Sequence, residues 1–262
     1  MIKTIKEWLN KYAIVENKLL ISYENDLIKR DQTIADRDNI IDDLYEENEE
    51  LVLKIEDDLK KETWEDYWNN KHPKKNISYL RHETDGDYQI DVRSFFMPNY
   101  NYPILRRESD DETALSSLIF IMEKIIYKSD MIVFGYDEYW SYGYQTLKRK
   151  QGDCDSGSIL LWNIMLHNGI PSWRVRLNAG WVKEPNSIEK VGHAYVTYCR
   201  ETDNQWVVLD WCYYNNYIPI KNRPLHKDER DYYSIWWSTT KDQSYGNKKY
   251  MKSMPEEFII KT

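Results

Sequence analysis

The stretch Gly152-Asp153-Cys154-Asp155-Ser156-Gly157, continuing as Ser158-Ile159-Leu160-Leu161-Trp162-Asn163-Ile164-Met165-Leu166-His167-Asn168, decides how this chain is read. From Ser158 onward it is apolar on nearly every face, the pattern of a helix enclosed by the rest of its domain. Gly169 suits a left-handed cap and Pro171 forbids continuation. Cys154 therefore stands at or just before a helix N-terminus, with Asp153 or Asp155 as the capping side chain. Unpaired amides and the positive end of the helix dipole favour a thiolate there. The thiol pKa is expected to fall below the usual value of about 8.5.

Downstream, three strands are readable. Trp173-Arg174-Val175-Arg176-Leu177 leads into Ala179-Gly180-Trp181-Val182, and Gly192–Arg200 and Gln205–Trp211 follow around a turn at Glu201-Thr202-Asp203-Asn204. The last two form a hairpin whose parity has a chemical consequence. An even loop centred on Thr202-Asp203 sets Val196 opposite Leu209 and Tyr195 opposite Asp210. His193 and Asp210 then share a face, one diagonal step of about 7 Å apart. An odd loop places them on opposite faces. In the even register the order is a helix-start cysteine, a strand histidine and an aspartate on the neighbouring strand. A thiol can attack an acyl carbon, an imidazole can take and return its proton, and a carboxylate can orient the ring.

Residues 144–217 resemble the core of the transglutaminase-like superfamily of papain-like cysteine enzymes, most closely its bacterial and phage-encoded members. The pieces that carry the resemblance are Gln145-Thr146-Leu147, Gly152-Asp153-Cys154-Asp155, Gly169-Ile170-Pro171, Trp173-Arg174-Val175, Gly192-His193-Ala194-Tyr195-Val196 and Trp206-Val207-Val208-Leu209-Asp210. The resemblance implies an α+β fold with a cysteine-bearing buried helix against an antiparallel sheet. It implies Cys154 as nucleophile, His193 as base and Asp210 as orienter. It also implies transamidation, deamidation or peptide hydrolysis, with inactive members known.

Other residues compete for these roles. Cys212 falls opposite His193 in the drawn register and is an alternative nucleophile, a disulfide partner for Cys154, or, with Cys154, His193 and Asp210, a metal ligand; its strand position lacks a helix dipole. Cys199 reads as a small core or surface residue. The Cys154 amide is a natural oxyanion donor, and Trp140 and Gln145 are the side-chain candidates beside it, with Gln151 and the tyrosines of 139–144 behind them. His72, His82, His167 and His226 read as surface or structural. Tyr232-Tyr233-Ser234-Ile235-Trp236-Trp237 reads as a strand completing the sheet, with a substrate-cleft lining as the alternative. No loop has calcium-hand spacing, and metal-independent chemistry without a cofactor is expected.

The rest of the chain bounds the function. Its 262 residues are 41% hydrophobic and 31% charged, with 9 Gly and 8 Pro, as in a folded protein with few flexible linkers. The net charge of −8 is concentrated: residues 1–70 hold 19 acidic against 10 basic side chains, so the remainder offers no basic field for nucleic acid. No apolar run approaches the roughly 18–20 residues of a membrane span, and the first residues lack a signal-peptide core, so a cytoplasmic protein is expected, or a virion-associated one if phage-encoded. Three cysteines suit a reducing compartment.

Residues 1–66 contain neither proline nor glycine and read as one long acidic helix. Leu20, Leu27, Ile34, Ile41 and Ile55 recur at seven-residue spacing, Asn48 fills the polar slot, and Leu44 and Leu51 add a companion position. A coiled coil is expected from about Ile40 to Leu59, joining copies or a partner helix through residues 20–59. Pro73 ends the helix. From Ile77 to Arg107 the chain reads as irregular, and Asp110 or Asp111 caps a further helix. Two domains result: an acidic helix over 1–70 and a transglutaminase-like domain over 78–262. The function expected is cysteine-dependent acyl transfer on peptide or side-chain amides. The alternative is a structural protein, such as a phage particle component, using the domain as a scaffold and the helix for assembly.

Overall fold

Three consecutive segments carrying β-branched and aromatic side chains build one end of a six-stranded sheet. In the computed structural model they are β6 (Val175–Lys183), β7 (Lys190–Cys199) and β8 (Trp206–Leu209). The structure describes most residues between 17 and 52 and between 74 and 246, with side chains from Asp91 onward in the second stretch. β9 (Ser234–Thr239) joins the far side of β6, followed by β10 (Ser244–Gly246) and the two-residue β1 (Lys74–Lys75). The order is β1-β10-β9-β6-β7-β8, with every neighbour antiparallel. The aromatic segment read near residue 235 thus completes the sheet, with Trp236 and Trp237 fully buried.

The cysteine segment forms α4, Cys154–His167, against β6 and β7. Residues 155–165 are all buried, including Ile159, Leu160, Leu161, Trp162, Ile164 and Met165. Each large apolar side chain so enclosed contributes about 1.5–3 kcal/mol. The polar residues of this helix find internal partners, as burial requires. Asn163 Nδ2 donates to Phe95 O and Ile159 O, and its Oδ1 accepts from Met97 N, tying the preceding 3₁₀ turn (Val92–Phe95) to the helix. Gly169 adopts φ +84° after the helix, as expected of its cap.

Within the unit that holds the sheet, three helices precede α4: α1 (Asp110–Lys124), α2 (Asp130–Val133) and α3 (Gly143–Arg149). Ser109 caps α1, accepting from Glu112 N at 3.2 Å, so neither Asp110 nor Asp111 has the role expected. The reason is the Ser-x-x-Glu spacing, in which the hydroxyl reaches the third amide of the turn. α1 leaves through β4 (Ile126–Tyr127), which pairs in parallel with β5 (Gln151–Gly152), immediately before the cysteine helix. The 77–107 stretch is more regular than its sequence suggested: β2 (Ser78–Glu83) and β3 (Gly86–Asp91) form a hairpin. Arg174 lies in a 3₁₀ turn, Ser172–Arg174, rather than in the strand.

The chain divides into compact units Met1–Lys60 and Lys61–Thr262. In the first unit the described residues between 17 and 52 are helical. Leu20, Leu27, Ile34 and Ile41 are all exposed along it, as are Leu44 and Leu51. Ile55 and the end of the expected coiled coil lie outside the described residues.

Candidate active site

The hairpin loop has even parity. Val196 pairs with Leu209 and Cys199 with Trp206, so His193 and Asp210 fall on one face, as the even register requires. Beyond the Val196–Leu209 pair the two strands part, and the side chains meet directly. His193 Nε2 donates to Asp210 Oδ2 at 2.7 Å, with His193 4% exposed and Asp210 fully buried.

A buried carboxylate is costly unless its lone pairs are filled. Here they are. Tyr232 Oη donates to Asp210 Oδ2 at 2.5 Å, and the amides of Cys212 and Tyr213 donate to Oδ1 at 2.7 and 3.1 Å. Burial pushes the Asp210 carboxyl up, but the His193 charge and these hydrogen bonds outweigh it and hold the group below the ordinary carboxylate range. The Tyr213 ring stacks on the His193 ring, centroids 4.4 Å apart, and fixes its plane. Tyr232 was not singled out for this role: a long loop separates it from the hairpin, and only its place in an aromatic strand was visible.

Cys154 is the first residue of α4, capped by Asp153, whose Oδ1 accepts from Ser156 N at 3.4 Å. Its sulfur faces the backbone amide of Ala194, the residue after His193, and one turn on Ser158 Oγ donates to Ala194 O at 3.1 Å. Helix and strand are thus clamped at the residue beside the histidine. Trp211 adds a second link by donating from Nε1 to Cys154 O at 3.3 Å, and its indole packs so close to Gly157 that a Cβ there would come within 2.2 Å. The hydrogen bonds of the described residues do not include one between Cys154 and His193.

The thiol differs from expectation. Burial, reinforced by the carboxylates of Asp153 and Asp155 and by Cys212, pushes Cys154 well above the ordinary thiol value, with only the Ala194 amide opposing. The helix terminus supplies a favourable dipole, but two acidic side chains adjoin the same sulfur. Cys212 is likewise pushed up, by burial and by the Asp210 charge. All three cysteines are free. Cys199 is fully buried in a small apolar cluster with Trp173 and Trp206.

Of the side chains proposed for the oxyanion, Trp140 is buried against Phe95 and Trp237, and its Nε1 donates to Glu138 Oε1 at 2.5 Å. Gln145 Oε1 accepts from Tyr142 N at 2.9 Å in the first turn of α3.

The four-residue metal set is divided. Ligand atoms of His193, Asp210 and Cys212 lie within 4.8 Å of one another, whereas Cys154 groups with Asp153 and Asp155. A third group is purely carboxylate: Asp130, Glu138 and Asp155, also within 4.8 Å. Asp130 Oδ2 accepts from Tyr139 N at 2.5 Å, while Asp130 Oδ1 and Asp155 Oδ1 are buried without a hydrogen-bond partner. Burial and the Asp153 charge push Asp130 up to about 9, and Asp155 rises well above its usual value for the same two reasons. Such an all-oxygen set has the chemistry to hold a hard divalent cation, whose charge would offset the acidity beside Cys154. Asp130 opens α2 and Glu138 lies in the loop after it, both upstream of the cysteine motif, and nothing in their spacing marks them.

No family model and no curated protein matches the chain. Among solved structures it is similar to Legionella pneumophila LapG. The EGTA-treated form gives a TM-score of 0.43 at 15% identity, over 57% of this chain and 73% of that one. A second LapG structure gives 0.43 at 16% identity over 57% and 75%, and the calcium-bound form 0.37 at 17% over 54% and 82%.

Proposed function

We infer that this chain is a cysteine-dependent acyl-transfer enzyme of the transglutaminase-like kind, acting on peptide or side-chain amides through Cys154, His193 and Asp210. The observation that carries this reading is the buried His193–Asp210 pair, held by four donors to the carboxylate, beside the strand residue to which the cysteine helix is clamped through Ser158.

With Nε2 committed to Asp210, Nδ1 is the ring nitrogen left for the thiol. Because the thiol is held protonated at rest, His193 acts as a general base during attack rather than as half of a standing ion pair. The sulfur adds to the acyl carbon as Nδ1 takes its proton, and the same proton then goes to the departing amine. The thioester that remains is released by water, giving hydrolysis or deamidation, or by an amine, giving cross-linking. Asp210 stabilises the imidazolium that appears between these steps. The Cys154 backbone amide, at the first turn of α4, is the donor available to the oxyanion. Residues 20–59 are assigned to assembly with a second copy or a partner helix.

The test is a peptide library incubated with a tagged primary amine and read by mass spectrometry. Wild type should generate new termini, glutamine-to-glutamate conversion or amine adducts. Cys154→Ala and His193→Ala should generate none, and Asp210→Asn far less than wild type. Equal product from wild type and Cys154→Ala would remove Cys154 as nucleophile.

A further inference from the structure

Next to the triad lies a cleft of about 490 Å³ whose lining the catalytic residues do not explain. Met122, Ile125 and Trp211 contribute its apolar surface, and Tyr127, Tyr213 and Tyr217 contribute aromatic rings. Glu184, the residue after β6, is the one charged lining residue among those described, and neither lysine nor arginine joins it. Glu184 is exposed and takes part in none of the ion pairs among the described residues. The lining ring of Tyr217 donates from Oη to Glu123 Oε1 at 3.4 Å.

The cleft and the triad share a wall. Tyr213 stacks on His193, Cys212 lies between Trp211 and Tyr213 in the lining, and Trp211 donates from Nε1 to Cys154 O at 3.3 Å. Tyr127 and Trp211 face each other with centroids 5.8 Å apart. A side chain adjoining a bond presented to Cys154 therefore has this cleft within reach.

Three physical terms select its occupant. Aromatic faces attract cations. A carboxylate without an ion-pair partner in the lining adds attraction for positive charge and penalises negative charge. Methionine, isoleucine and indole surface accommodates a long aliphatic stem whose charged head stays in water. A purely apolar side chain meets only the last of these, and an acidic one is repelled by the second. We propose that this cleft is the subsite for an arginine or lysine side chain of a peptide substrate, with the cationic head at Glu184 and the stem across Trp211. Its role as a substrate subsite rests on the reading of Cys154 as nucleophile.

Two measurements on the full chain separate the subsite from the chemistry. In Cys154→Ala, ligand-observed NMR compares acetyl-Ala-Ala-Arg amide with its Phe and Glu counterparts. The Arg peptide should bind about tenfold more tightly than the Glu peptide and more tightly than the Phe peptide, and Glu184→Gln should erase its advantage over Phe. In the enzyme with Cys154 intact, peptidyl chloromethyl ketones ending in Arg, Phe or Gly are compared by intact mass. The Arg reagent should modify Cys154 about tenfold faster than the Gly reagent, and Glu184→Gln should lower that ratio several-fold. Equal or tighter binding of the Phe peptide, or an Arg advantage that survives Glu184→Gln, overturns the proposal. Selective binding with no Cys154 modification by any reagent upholds the cationic subsite and sinks the nucleophile instead.

Discussion

Tyr232→Phe removes one oxygen from the interior and tests whether Asp210 is held as described. The phenol donates to Asp210 Oδ2 at 2.5 Å, the residue is 1% exposed, and the ring packs edge-on to Tyr195 at 4.6 Å. The phenylalanine keeps that ring contact, so the lost term is the hydrogen bond to a buried charge, worth about 1.5–3 kcal/mol. His193 and two backbone amides still serve the carboxylate, which places the expected cost near the lower end, about 1.5 kcal/mol, or roughly tenfold in the unfolding equilibrium. Urea denaturation followed by tryptophan emission measures it. The decisive arm repeats the substitution in an Asp210→Asn background. Without the charge, the same hydroxyl should be worth under about 0.5 kcal/mol, so the cycle should yield a coupling of about 1 kcal/mol. Equal losses in the two backgrounds would mean that the hydroxyl stabilises the fold without acting on Asp210, and the account of a four-donor carboxylate would fail.

Further outcomes follow from the same structure. Asp130 keeps its proton up to about pH 9 in the folded chain but only to its ordinary 3.8 when unfolded, so it withdraws stability as pH rises between those values. Asp130→Asn should therefore raise the melting temperature at about pH 8.5 in chelator and change it little near pH 4; equal shifts at both values refute the assignment. Gly157→Ala places a Cβ 2.2 Å from the Trp211 indole and should cost about 1–3 kcal/mol while shifting tryptophan emission; an unaltered melting curve counts against that contact. Removing residues 1–60 should lower the oligomeric state seen by light scattering, and a mass that falls only by the deleted segment would take assembly away from the helix.

What could be read from sequence was what local chemistry settles. The apolar run after Cys154, closed by Gly169 and Pro171, specified a buried helix because no exposed face was left to it. The parity of the Cys199–Trp206 loop decided the facing of His193 and Asp210, since side chains alternate along a strand. The sign of the Cys154 shift was not legible, because it depends on desolvation and on how closely Asp153 and Asp155 approach the sulfur in the folded chain. Tyr232 and the Asp130–Glu138 carboxylates escaped for a related reason: long connections bring them in, and no periodicity encodes where such connections return. The cap of α1 was a different kind of miss. Ser109-Asp110-Asp111-Glu112 carried the capping-box spacing in plain view, obscured by the acidic residues inside it.

The short parallel ladder between β4 and β5 ties two parts of the molecule to one fate. Ile126 N donates to Lys150 O at 2.9 Å and Lys128 N to Gly152 O at 3.0 Å, so the strand that continues from Ile125 in the cleft is fastened to the residues just before Cys154. Two residues of pairing make a weak seam, of the kind that opens locally long before a domain unfolds. A peptide resting on Ile125 would press on this seam, so substrate contact and the setting of Cys154 would both answer to the same local opening.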